Sequence, residues 1–83
     1  MKHGYMSNEV LKFHLEEMCL AAKQMPIGVP FGIEDLFTAD EWENITQYGH
    51  VTLGQQFCSQ VETGKVANVY LYGDQRPLLY IRR

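Results

Sequence analysis

Most of the signatures that would assign a chemistry to this chain are missing from it. No apolar run among its 83 residues approaches the ~18 needed to cross a bilayer, so no membrane span or membrane partner is expected. Met1-Lys2-His3-Gly4-Tyr5 has no apolar stretch behind its lysine. The reading is therefore no secretory leader, a cytoplasmic location and a disordered segment 1–6. Cysteine is scarce. Cys19 and Cys58 lie on helix faces expected to point inward, and they read as small buried hydrophobes rather than a disulfide or a reactive pair. His3, His14 and His50 fall at no metal-ligand spacing, so no metal is expected. The glycines between Pro26 and Gly32 lack the lysine and the strand-loop-helix setting of a phosphate loop, and no nucleophile sits in an elbow. Glu34-Asp35, the one acidic pair that invites a catalytic reading, suits the positive end of a helical turn. No catalytic residue and no cofactor is expected, and the chain reads as a non-enzyme.

One further absence divides the chain. Residues 31–63 contain no lysine or arginine, and Glu34, Asp35, Asp40, Glu41, Glu43 and Glu62 give that stretch a net charge of −6. Residues 64–83 carry Lys65, Arg76, Arg82 and Arg83 against Asp74 alone, a net +3. An acidic middle thus precedes a basic tail. With 46% hydrophobic and 20% charged residues, the whole reads as one globular domain over residues 1–83. A chain this short buries roughly 60 to 65% of its unfolded surface, enough for one small core.

Hydrophobic periodicity then places the elements. Leu11, Leu15, Met18, Ala22 and Met25 recur at spacings of three and four, so a helix is expected over residues 7–25 with Ser7 or Asn8 as its cap. Pro26 to Pro30 is an extended connector, and Phe31-Gly32-Ile33 is long enough for a strand stub. Residues 38–64 read as helix, turn, helix. Thr38 and Glu41 form a capping box, with Phe37 and Trp42 as its hydrophobic staple. Tyr48-Gly49 is expected to be the turn, and Thr52 with Gln55 a second box. Leu53, Phe57, Cys58 and Val61 then form the inward stripe of a helix that ends at Gly64. Residues 66–83 alternate with period two around a turn at Gly73 to Pro77, which reads as a hairpin. The expected fold is α+β and winged-helix-like, with three main helices and a two-stranded wing.

The stretch Phe31 to Phe37, then Glu41-Trp42, Leu53-Gly54-Gln55-Gln56-Phe57 and Val61-Glu62-Thr63-Gly64, resembles a family of small bacterial and phage-borne domains of unknown function. Those domains pair a short F-x-L-x-D-L-F segment with a tryptophan and an L-G-x-x-F helix. The resemblance covers Pro26 to Arg83 and leaves the first helix outside. It implies a winged-helix-like scaffold and no activity. Family members often carry basic residues flanking the L-G pair, where this chain has His50 and Gln55.

Two functional readings follow. In the first, the third helix enters DNA as in a transcription regulator: Gln55, Gln56, Ser59 and Gln60 meet base edges, while Lys65, Arg76, Arg82 and Arg83 neutralise phosphates. In the alternative, the chain is a protein-interaction module, such as a phage- or plasmid-encoded modulator. Its acidic helices then face a basic partner, and Tyr70, Tyr72 and Tyr80, set on one face of the hairpin, supply anchors. Either reading accommodates a homodimer through the amphipathic first helix. Gly54, expected in the first turn of the third helix, marks a close approach there, by another helix or by a phosphate.

Overall fold

The structure, a computed structural model, describes residues 7–73 and 77–83. The segment 1–6 and Arg76 lie outside the described residues. Helix α1 runs Asn8–Ala22, and the Ser7 Oγ accepts the Val10 N–H at 3.3 Å as its cap. Leu11, Met18 and Ala22 are buried on one side, with Leu15 packed beside them. The connector then leads into one 3₁₀ turn, Ile33–Leu36. There the Asp35 carboxylate accepts the Gly32 N–H at 2.9 Å, so Asp35 has a structural role.

Helix α2, Ala39–Asn44, forms where the capping box places it. Thr38 Oγ1 accepts the Glu41 N–H at 3.1 Å, and Glu41 Oε1 accepts the Thr38 N–H at 3.0 Å. The staple rings, Phe37 and Trp42, stand 5.7 Å apart. Helix α3, Gln47–Glu62, starts earlier than its sequence suggests. Its cap is Thr46, whose Oγ1 accepts the Gly49 N–H at 3.1 Å, and Gly49 is buried in the first turn. The turn between α2 and α3 is therefore Ile45-Thr46, and Tyr48-Gly49 is helical. Gly54 falls about two turns inside α3 and not at its start, which removes the close phosphate approach expected there. Thr63 caps the other end, and Gly64 takes φ 76°, the left-handed conformation that glycine adopts without strain.

Strands β1, Val69–Tyr72, and β2, Leu79–Arg82, pair antiparallel with Leu71 opposite Tyr80 and Tyr72 opposite Leu79. The connector lies along the other edge of β2. Gly28 N–H donates to the Arg82 carbonyl at 2.8 Å, and Phe31 and Tyr80 exchange both backbone bonds at 2.8 Å. The strand stub is thus a single bridged residue, Phe31, and together with a second isolated bridge at Ile27 it lines the edge of a two-stranded sheet. Arg82 Nη1 adds a bond of 2.9 Å to the Met25 carbonyl.

The core fills the space between α1, α3 and the inner face of the hairpin. Leu53 and Phe57 of α3 are fully buried, and the Phe57 ring meets Tyr80 edge-on at 4.9 Å. Tyr80 is 1% exposed, which corrects its expected place on the outer face. Leu78 to Ile81 are apolar without interruption, so alternation offers no contrast there. The register with β1 and the rings of Phe31 and Phe57 decide the face instead. Three α-helices followed by a C-terminal antiparallel hairpin make an α+β fold with a layout compatible with a winged helix. No helix among the described residues is long and apolar enough to cross a membrane.

Candidate functional site

Three elements leave a space between them. On one side α3 presents Gln47, Val51, Gly54, Gln55, Cys58 and Glu62, spaced so that they follow one stripe of the helix. The 3₁₀ turn supplies Ile33, Glu34 and Asp35, and Leu78 and Leu79 come from the entry and first residue of β2. The result is an open groove of about 780 Å³. Gly54 forms part of its floor: a Cβ there would lie 3.5 Å from Ile33 Cδ1, an ordinary contact. The neighbour that Gly54 faces is therefore the 3₁₀ turn.

At one end the floor is aromatic. The Trp42 and His50 rings stack 3.8 Å apart and 9° from parallel, and His50 Nε2 donates to the Trp42 carbonyl at 2.9 Å. That carbonyl can only accept, so the proton sits on Nε2. The bond ties α3 to the last turn of α2. The stacked pair lines this end of the groove although α2 itself has no buried residue.

Charge is distributed unevenly around the opening. Glu34, Asp35 and Glu62 line the groove, and among the described residues lining it there is no lysine or arginine. An unscreened carboxylate cluster of this kind repels phosphate and attracts cations. Among the described residues no group of three histidine, cysteine, aspartate or glutamate side chains could hold a metal ion.

The residues singled out in the sequence are only partly brought together. Gln55 and Ser59 line the groove, and Gln56 is exposed on the neighbouring face of α3. Gln60 is half-buried and turns the other way, toward a shallow recess that it shares with Lys12, Glu16, Leu20 and Lys65. Tyr70 and Tyr72 are about half exposed on the outer face of β1, whereas Tyr80 is in the core. Arg82 is half-buried and spends its guanidinium on the Met25 carbonyl, which leaves Lys65 and Arg83 as the exposed cations of the described tail. Sequence reasoning missed Trp42, His50, Cys58 and Leu79 as groove residues. The signal that pointed toward the groove was the cation-free stretch 31–63.

Both cysteines are free and half-buried. Burial pushes the Cys19 thiol above its ordinary range, with Lys23 opposing the shift and Glu16 adding to it. The shift favours the thiol over the thiolate.

No curated protein and no solved structure matches this chain. One family model does, over residues 16–77, described as a domain of unknown function (DUF1413). The match takes in the second half of α1, Glu16 to Ala22, which lies before the Pro26 to Arg83 stretch that carries the resemblance. It spans α2, α3 and every described groove residue except Leu78, Leu79 and Tyr80. This chain belongs to the DUF1413 family.

Proposed function

We propose that this chain is a non-enzymatic binding module that engages another protein through the groove between α3, the 3₁₀ turn and β2. The segment it accepts is apolar and positively charged. What carries the reading is the lining of that groove: Ile33, Val51, Leu78 and Leu79 offer apolar contact, and Glu34, Asp35 and Glu62 supply all of its formal charge among the described residues. A phosphate backbone brought against α3 would meet three carboxylates. Cytoplasmic residence belongs to the same reading, and the two free cysteines suit a reducing compartment.

DNA binding is the second reading, favoured by the winged-helix-compatible layout and by Gln55, Gln56 and Ser59 exposed along α3. Its electrostatic footing is narrow. Among the described residues of the tail, two exposed cations, Lys65 and Arg83, would contribute a salt slope of only about −2.

Trp42 is the only tryptophan and lines the groove, so its fluorescence reports occupancy. The test is a titration with a short synthetic lysine-leucine peptide, run beside anisotropy of a labelled mixed-sequence duplex at about 50 mM salt. The expected result is a saturable change in Trp42 emission with the peptide, lost in the Glu34→Lys/Glu62→Lys variant, and no binding of the duplex. Duplex binding that survives this variant and is lost on replacing Lys65 and Arg83 would overturn the proposal in favour of DNA.

A further inference from the structure

The groove does not stop at its rim. Leu79 lines it, and a Cβ on Gly32 would lie 3.7 Å from Leu79 Cδ2, so this side chain leans over the 3₁₀ turn. Leu79 also stands opposite Tyr72 in the hairpin, and alternation along the strands puts Leu79, Ile81, Tyr70 and Tyr72 on one face. The Arg83 N–H donates to the Asn68 carbonyl at 2.7 Å, which carries the ladder one residue further and sets the exposed Arg83 side chain on that same face. One surface therefore runs from Glu34, Asp35 and Glu62, over Val51, Ile33 and Leu79, to Tyr72, Tyr70 and Arg83. It is acidic at one end, apolar and aromatic in the middle and cationic at the other.

A surface with that order of charges is complementary to itself when turned by half a revolution about its centre. We infer that it binds a second copy of this chain across a two-fold axis near Leu79, an inference that rests on the protein-binding reading of the groove. In the pair, Arg83 of each copy meets the carboxylates of the other, and Tyr70 and Tyr72 of each copy cover the apolar floor of the other's groove. The contact is isologous and closes at two copies. Tyrosine and arginine are the residue types that interfaces concentrate. The outward stripe of α1, with Val10, Phe13 and Leu20 exposed, is the competing face, and Glu17 interrupts it. The dimer is therefore placed on the groove and hairpin instead of on α1. A copy seated in this way also covers the groove, so self-association and capture of another protein compete.

Sedimentation equilibrium of the full chain, with a charge-swap mixture, tests the inference. The wild type is expected to rise with concentration from 9.6 kDa toward twice that mass. Arg83→Glu alone and Glu34→Lys/Glu62→Lys alone should each weaken association by about tenfold or more, because each sets like charges against each other. Mixed in equal amounts, the two variants should associate again as a heterodimer. All three substituted positions are exposed, and circular dichroism checks that each variant keeps the wild-type helix content. A wild type that stays at monomer mass up to millimolar concentration overturns the pairing, as does a mixture that fails to associate. Loss of association on Phe13→Lys would overturn it in favour of the α1 face. If the wild type is monomeric while the lysine-leucine peptide still changes Trp42 emission, the two-fold pairing falls and the groove reading stands. If both fail, both fall.

Discussion

Helices α2 and α3 adjoin through Ile45-Thr46, yet they exist for different reasons. Helix α3 buries Leu53, Phe57 and Val61 in the core, and its position is fixed by residues far away in sequence, above all Tyr80. Helix α2, six residues long, buries none. It is held by the Thr38–Glu41 box, by the Phe37–Trp42 contact and by the stack of Trp42 on His50. An isolated helix of that length would not persist in water. Packing therefore sets the α3 side of the groove, while local hydrogen bonds and ring stacking set its Trp42 end, so the two respond to mutation on different scales.

The widest separation between them should come from Phe57→Ala. Emptying a fully buried aromatic site beside Tyr80 is expected to cost about 3 to 5 kcal/mol in urea unfolding, close to the whole stability of a domain this size. A cost below about 1.5 kcal/mol would mean that α3 is not anchored by burial. Thr38→Ala is expected to cost about 1 kcal/mol and to act locally, changing Trp42 emission while far-UV circular dichroism keeps the α3 signal. A loss as large as that of Phe57→Ala would erase the distinction. Gly54→Ala has the opposite sign. Its added methyl meets Ile33 Cδ1 in ordinary contact, so the gain in helix propensity, about 0.5 to 1 kcal/mol, should appear as a higher unfolding midpoint. The same methyl narrows the groove and should weaken peptide binding. Tyr72→Thr, on the half-exposed outer face, is expected to leave monomer stability within about 0.5 kcal/mol. A larger loss would place that face in the fold's own packing.

What was legible in the sequence follows the same division. The Ser7 cap, the Thr38 box and the staple at Phe37 and Trp42 rest on neighbours within five residues, and all were readable. Thr46 escaped because its partner three residues on is Gly49 and not glutamate or glutamine, so only half of a capping box was present to be seen. Tyr48-Gly49 then mimicked a turn while Gly49 was in fact buried inside α3. Tyr80 was misplaced for a non-local reason: its face is settled by Phe31 and Phe57, 49 and 23 positions away, through contacts that no window of sequence contains. The groove combines residues from the 3₁₀ turn, α3 and β2, so its charge could be read from composition but its walls could not.

The stitching of the connector onto β2 has a consequence for how the chain folds. Arg82 reaches the Met25 carbonyl across 57 positions, and the bonds of Phe31 to Tyr80 and of Gly28 to Arg82 close loops of similar length. Helical turns form within about a microsecond, whereas closing loops this long costs entropy that rises with their logarithm before any contact returns it. Closure of the connector onto β2 is therefore expected to be the slow, late step. In amide exchange, Phe31 and Tyr80 should rank among the most protected backbone positions, since releasing either one requires undoing that closure.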